Sequence, residues 1–419
     1  MTSRVEAFLY SPSEVRRGST YTVFFWMLAI AAVLGHRAYA PMLLAPLAAI
    51  DWRHAYYARR ATFRGVERHW LIYFASAALF TGYTALSAVW SPLPGKISWA
   101  ITDAICFLLA PLSFHSVHYL SPAARDRAAA AVAWAALAMA GLLTFEAASN
   151  AAIRQALPPP ETVVRDFVSL GRGTLLLVLL VWPARRIFAE RLRRPILGWA
   201  LVGVAIIPAM KFSIATNAVM LASGLVAYVA GRIVGRLAPA TLFALAGLAV
   251  LATPLAAIAL DADALRAAFP SAPDSWIQRL YIWERAGDEI VRHPFGGGVE
   301  YARALSRPIV PIEINGVPLN TMPLHPHNLF LHVWMDLGVV GAFALLGFIA
   351  AAARAALGAC ATREDAAVTA AVVAALLATA TTEWSVWQVW RFAAVWIVVI
   401  AIRLAASPPP APVAVRPGL

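Results

Sequence analysis

Two histidines, His325 and His327, flank Pro326 and stand directly before Asn328 and a long apolar run. An imidazole with its ordinary pKa of about 6.5 can take a proton at neutral pH, which makes the pair a candidate general base. The bland alternative is that Asn328 caps a helix and the histidines fill interfacial surface. A His-x-His pair also occurs in zinc sites, but no third ligand follows at metal-site spacing, so no metal is expected. Four cations have no carboxylate close by in sequence. Arg279 lies three residues after Trp276 and four before Trp283, with no acid three or four positions away. Arg172 sits between Gly171 and Gly173, Lys211 opens a short turn to Asn217, and Arg391 falls inside the last apolar run. A guanidinium without a local acid can grip a phosphate through two parallel hydrogen bonds. The competing reading is a snorkelling side chain. Arg285 and Arg292 differ, because both reach Asp288 and Glu289 at helical spacing and are expected to be neutralised there. Asp261-Ala262-Asp263 has the spacing of a metal-holding pair in nucleotide-sugar transferases, but it stands alone.

These residues fall at the ends of apolar segments, and those segments must position them. Twelve are candidate spans: 20–36, 38–51, 70–90, 97–119, 128–149, 169–183, 196–211, 217–231, 239–260, 328–352, 366–384 and 387–404. With a cytoplasmic N-terminus and every segment crossing, the cytoplasmic pieces hold 21 of the 34 basic residues. Short connections on the other side hold few, namely Arg37, Lys96, Arg154, Arg165 and Lys211. The positive-inside rule therefore favours twelve crossings with both termini in the cytoplasm. The first apolar run reads as a retained signal anchor. Residues 1–19 form a cytoplasmic lead, 20–260 nine spans, 261–327 an outer loop, 328–404 three spans and 405–419 a tail expected to be disordered. Within the loop, 274–294 reads as an amphipathic helix with Trp276, Leu280, Trp283 and Ile290 at helical spacing. Pro294 and Gly296 to Gly298 end it. A second outer connection, Asn150 to Ser169, carries Pro158-Pro159-Pro160.

Composition narrows the class. The 419 residues are 61% apolar and 13% charged, with mean hydropathy +0.70, against roughly a quarter charged in a soluble domain. A soluble enzyme is excluded. The net charge of +12 is carried by arginine except at Lys96 and Lys211. These arginines lie in short clusters between apolar runs, so no nucleic-acid surface is expected. Cys106 and Cys360 read as buried thiols with no disulfide. The fold class is an all-α polytopic membrane protein of about twelve transmembrane helices with one large periplasmic loop.

His325-Pro326-His327-Asn328 running into Leu329-Phe330-Leu331 and Asp336-Leu337-Gly338-Val339-Val340-Gly341 resembles the signature of the bacterial O-antigen ligase and polymerase superfamily. Arg279-Leu280-Tyr281-Ile282-Trp283 followed by Pro294-Phe295-Gly296-Gly297-Gly298 is similar to it as well. Gly171-Arg172-Gly173 with Leu179-Leu180-Val181-Trp182-Pro183 resembles the ligase branch. Together these matches cover roughly residues 165 to 345. The resemblance implies a metal-independent inner-membrane glycosyltransferase without a cofactor, working at the periplasmic face. Its donor would be O-antigen on undecaprenyl diphosphate and its acceptor a sugar hydroxyl of lipid A–core, with membrane lipids around both. Arg279 and Arg172, with Lys211 and Arg391 as further candidates and Asn328 beside them, would hold the diphosphate or glycan. His327 or His325 would take the acceptor proton, and a direct displacement would invert the anomeric centre. One departure is Ile214-Ala215-Thr216-Asn217, where relatives often show Ser-x-Ser-Arg. An O-antigen polymerase and a protein O-oligosaccharyltransferase are related alternatives. A solute carrier is the alternative from another class, and the lack of half-to-half similarity counts against it.

Overall fold

Apolar runs of this length must satisfy their backbone polar groups internally, and the helix does so within one segment. The computed structural model describes residues 12–49, 68–157, 162–212 and 216–406. The start of the cytoplasmic lead, the arginines from Arg53 to Arg64, Pro158 to Pro160, Ile214-Ala215 and the tail from Ser407 lie outside the described residues. The long helices are α1 (Pro12–Leu34), α2 (Arg68–Ser87), α3 (Ile97–His115), α4 (Pro122–Ala148), α5 (Val163–Arg186), α6 (Pro195–Lys211), α7 (Thr216–Val234), α8 (Leu237–Ile258), α9 (Asp274–Arg292), α10 (Leu329–Ala359), α11 (Arg363–Thr382) and α12 (Val389–Ala405). Among the described residues, eight helices are long and apolar enough to cross a membrane, and α1 and α6 contribute shorter apolar helices. The chain is an all-α polytopic membrane protein.

Eleven of the twelve expected segments correspond to one helix each. The exception is 38–51, whose described part is not a continuous helix. It forms short turns at His36–Ala38, Tyr39–Met42 and Ala45–Ala49, because Pro41 and Pro46 each remove a backbone donor and crowd the preceding turn. The chain nevertheless travels back along α1. His36 Nε2 lies 3.2 Å from Arg172 Nη1 at one end of the bundle. Leu43 carbonyl accepts from Ser113 Oγ at 2.5 Å, beside the Ser113 carbonyl that accepts from Tyr21 near the other end of α1.

The helix ends sort into two layers. In one, Arg185 and Arg232 meet Glu364, Arg186 meets Asp365 and Glu190, and Arg191 meets Asp126. Arg125 Nη2 donates to the Arg403 and Ala406 carbonyls that close α12. The Thr362–Asp365 capping box opens α11 in the same layer. The opposite layer carries the connection from Ala259 to Asn328. This connection holds two short helices, Ala262–Ala268 and Tyr301–Ala304, besides α9.

It also contains an element that the sequence reading did not anticipate. Strands β1 (Pro311–Ile314) and β2 (Val317–Asn320) pair antiparallel, with Ile314 opposite Val317. Asn315 and Gly316 both have positive φ, as a type I′ hairpin turn requires. Helix α9 matches the expected range, but its buried face is Ile277, Ile282, Ala286 and Ile290. Trp276, expected on the apolar face, is 67% exposed. Arg285 donates to Thr321 Oγ1 rather than pairing locally, whereas Arg292 bonds Glu289 at 2.8 Å as expected.

The glycine-rich end of α9 explains how the connection is fixed to the bundle. Helix α10 is broken at Gly338, where φ is 55° and ψ −150°. A break inside a helix strands carbonyls and N–H groups that must find partners. The Pro294 to Gly298 strip supplies them. Gly297 and Gly298 N–H donate to the Met335 and Asp336 carbonyls at 2.8 and 3.0 Å, and Val339 N–H donates to the Pro294 carbonyl at 3.0 Å. The end of α2 grips the same strip: Tyr83 hydroxyl and Trp90 Nε1 donate to the Phe295 and Gly296 carbonyls. A Cβ on Gly338 would meet Phe295 backbone at 2.3 Å, while one on Gly358 would meet nothing within 4 Å. Gly338→Ala should therefore lower stability by about 2 kcal/mol or more, and Gly358→Ala should leave it within about 0.5 kcal/mol. Thermal unfolding in detergent checks both.

Candidate active site

The histidines are placed by a cap. Asn328 Oδ1 accepts from Phe330 and Leu331 N–H at 2.9 and 3.2 Å, which starts α10 and fixes the turn before it. That oxygen is thus occupied by the helix. His327 takes a left-handed backbone conformation, φ 54°, a strained state of the kind concentrated at functional sites. Its N–H donates to Nδ1 of His325 at 3.2 Å. A neutral His325 therefore carries its proton on Nε2 and has no free lone pair. His327 Nδ1 is buried without a partner among the described residues. The two rings lie 4.4 Å apart between centroids, and His325 stacks on His332 at 5.9 Å. Of the pair, His327 is the one able to accept a proton.

Behind them is a polar network that sequence reasoning did not single out. Asp336 Oδ2 accepts from Trp387 Nε1 at 2.7 Å and lies 3.3 Å from His332 Nε2. Its Oδ1 accepts from Ala302 N–H at 3.0 Å. His332 Nδ1 accepts from Val386 N–H. Asp336 is fully buried, so each of these bonds offsets desolvation, and together they tie α10 to the connection and to the turn between α11 and α12.

That turn supplies the electrostatic centre. Arg391, buried, lies 3.3 Å from Glu383 Oε1, donates to Gln388 Oε1 and Thr379 Oγ1, and lies over the Trp390 ring at 4.7 Å. It was expected to lack a partner, and the partner is Glu383, brought round by the turn. The same carboxylate acts on Arg172 and Arg279. Arg279 Nη1 donates back to the Ser275 carbonyl at 2.9 Å, and its Nε is buried without a partner among the described residues. Burial lowers the Arg279 pKa, and Glu383 partly offsets this. Arg172 pairs with His36, whose ring packs on Trp390 at 4.9 Å. Next to it, Asn217 Nδ2 donates to the Gly171 carbonyl at 2.8 Å.

Glu383 thus contacts Arg391 of α12 directly and acts on Arg172 of α5 and Arg279 of α9 only at longer range. Arg279 and Arg391 in turn act on His327. Sequence reasoning missed Glu383 and His36. Nothing in the sequence around Glu383 or His36 marks either as part of this group. Lys211 is not brought into this group: it is exposed at the end of α6, 5.8 Å above the Phe167 ring. Asp261 caps Ala264 N–H and Asp263 accepts from the Tyr281 hydroxyl. Among the described residues no three His, Cys, Asp or Glu side chains gather as metal ligands.

Part of the chain that carries these residues is similar to known proteins. Residues 167–346 match the O-antigen ligase family model. The matched stretch contains Arg172, Lys211, Arg279, His325, His327 and Asn328, and it ends before Glu383 and Arg391. A provisionally named polysaccharide ligase of Rickettsia prowazekii is 31% identical over 93 residues, 21% of this chain and 22% of the relative. A protein with the corresponding name from Rickettsia conorii is 30% identical over the same shares. The chain therefore aligns with about a fifth of the length of these curated relatives.

Burial, followed by the positive charge of Arg279 and Arg391, lowers the His327 pKa to about 4. A lowered imidazole pKa means that the neutral, proton-accepting form persists to lower pH. If His327 is the base, kcat/KM, which reports the free enzyme, should stay level from about pH 8 to 5 and fall only as pH drops through about 4. A fall between pH 7 and 6 would indicate an unperturbed imidazole instead.

Proposed function

We propose that this protein is an inner-membrane O-antigen ligase, with the arginine-paired layer in the cytoplasm and the Glu383 layer at the periplasmic face. It would transfer a glycan from undecaprenyl diphosphate to a sugar hydroxyl of lipid A–core. The observation that carries this reading is Arg391 paired with Glu383 while Arg172 and Arg279 have no carboxylate in direct contact among the described residues, beside an imidazole nitrogen of His327 left without a partner. Such a place is short of negative charge and holds a group able to take a proton. A diphosphate-linked sugar and an alcohol supply both needs.

In the proposed reaction the acceptor oxygen bonds to the anomeric carbon as the bond from that carbon to the diphosphate oxygen breaks. His327 takes the hydroxyl proton, and the electron pair leaves with the diphosphate. Arg279 and Arg172 neutralise the charge growing there, with Arg391 held behind them by Glu383. The displacement is direct, so the anomeric centre inverts. A base with a pKa near 4 is weak until the donor arrives. The bound diphosphate offsets the same cations that depress His327, and opposite charge nearby raises an imidazole pKa. Donor binding would thereby prime the base. His325 keeps a positioning role through the His327 N–H, and Asn328 fixes the turn.

Transfer by the purified protein from carrier-linked glycan to lipid A–core tests these roles. His327→Ala should lower kcat by about 10²-fold or more, and His325→Ala by clearly less. Arg279→Ala should cost about 10²-fold in kcat/KM. Full transfer by both His327→Ala and His325→Ala would overturn the base assignment. Chelation of divalent metal should leave the rate unchanged. Cells lacking the chain should show bare core with carrier-linked polymer accumulating; core bearing one repeat would instead indicate a polymerase.

A further inference from the structure

The proposed reaction makes two demands on Arg172 that conflict. Its guanidinium has to be held in place, and its charge has to stay free for the ligand. Among the described residues the side chain hydrogen-bonded to it is His36. The two meet because α1 and α5 approach closely: a Cβ on Gly173 would overlap the Ala32 carbonyl oxygen, so glycine is required there. His36 follows Ala32 by one turn, and Arg172 precedes Gly173. The end of α1 is pinned as well. Arg154 Nη1 donates to the Leu34 carbonyl, and Asp166 Oδ1 accepts from Arg154 Nε at 3.1 Å. A guanidinium only donates, so His36 Nε2 accepts from Arg172 Nη1 at 3.2 Å and the ring proton sits on Nδ1. That nitrogen is buried without a partner among the described residues. Burying an unpaired N–H is destabilising. Against Trp390, whose ring lies 4.9 Å from that of His36, an apolar side chain would pack without this penalty. Packing alone therefore does not account for a histidine here.

We infer that His36 is a positioning residue, which aims the Arg172 guanidinium through an uncharged acceptor and leaves its positive charge for an anionic ligand; the inference rests on the ligase reading of the site. Arg391 shows the other arrangement. It lies 3.3 Å from Glu383, and a carboxylate in contact offsets the very charge that it orients. A neutral imidazole offers one lone pair, so it fixes direction and supplies no negative charge. Glu383 reaches Arg172 only at longer range. The Trp390 ring joins the two arrangements: His36 packs edge-to-face with it, and Arg391 lies over it at 4.7 Å. Arg172 is in this way fixed relative to Arg391 without a carboxylate in contact.

Glycan transfer and the binding of undecaprenyl diphosphate, both measured on the full-length protein in nanodiscs, test this. Glutamine sets its amide oxygen near the place of Nε2, whereas asparagine sets it near the place of Nδ1. His36→Gln should therefore keep kcat/KM and affinity within about threefold of the wild type. His36→Asn and His36→Ala should lower both about tenfold, as expected for one lost hydrogen bond to a charged group. His36→Glu makes the stronger bond to Arg172 but neutralises it, and should fall about tenfold or more below His36→Gln. In an Arg172→Ala background the four substitutions should change affinity by no more than about twofold. Glutamate as good as glutamine, asparagine as good as glutamine, or losses that persist without Arg172 would each overturn the proposal. Glutamine and glutamate are nearly isosteric, so their comparison decides the matter even where His36→Ala fails to fold. Glutamine binding above glutamate, with no glycan transfer by any form, would uphold the role of His36 and overturn the ligase reading. Transfer with glutamate equal to glutamine would do the reverse.

Discussion

A guanidinium in an apolar bundle is tolerated only where opposite charge, hydrogen-bond acceptors or water reach it. The two layers of this protein meet that demand in opposite ways. In the layer of Glu364 and Asp365, carboxylates and helix-end carbonyls answer the arginines, and Arg185 also stacks over Tyr228 and Trp199. That layer is closed, and its charges bind helix to helix. In the layer of Glu383, Arg154, Arg292 and Arg303 have carboxylate partners of their own, but around Arg391 a single carboxylate serves it directly and reaches Arg172 and Arg279 at longer range. The deficit of negative charge is therefore located, and it is what makes this end suited to an anionic ligand.

The glycine-rich strip and the broken α10 form the mechanical counterpart. Pro294, Gly297 and Gly298 supply or receive backbone hydrogen bonds that a continuous helix would have made internally, while Phe295 and Gly296 accept from the Tyr83 and Trp90 side chains. Trp283 Nε1 then reaches the Pro326 carbonyl at 3.0 Å. Helix α9 and the His325 to Asn328 turn are joined by this bond, so Arg279 and His327 belong to one assembled unit. Asp336 extends the unit to Trp387, four residues from Arg391.

Much of this was legible in the sequence because membrane helices write their limits plainly in apolar length and arginine placement. The 38–51 segment misled because hydropathy reports burial in lipid and is blind to Pro41 and Pro46 acting on backbone geometry. The hairpin was legible in Asn315-Gly316, a strong turn signal that was passed over in a loop read only for helical periodicity. Arg172 and Arg279 were singled out because each lacks a local acid, and His327 because it stands with His325 directly before the helix-opening Asn328. Glu383 was missed for the complementary reason: its role depends on three helices far apart in the chain, and nothing in its own neighbourhood marks it. Trp276 was placed inside on spacing alone, whereas Ile277, one position along, is the residue that packs, together with Ile282.

The interruption at Gly338 also separates two kinds of motion. Below it, α10 is a long rod whose side chains meet lipid, as the exposure of Phe343 shows. Above it, Leu329 to Leu337 is almost wholly buried and is bonded to the glycine strip rather than to the rod. Bending or tilting of the rod as the bilayer thins and thickens would be absorbed at the break. The spacing between the imidazole and the guanidinium of α9 is thereby insulated from the lipid environment in which the protein sits.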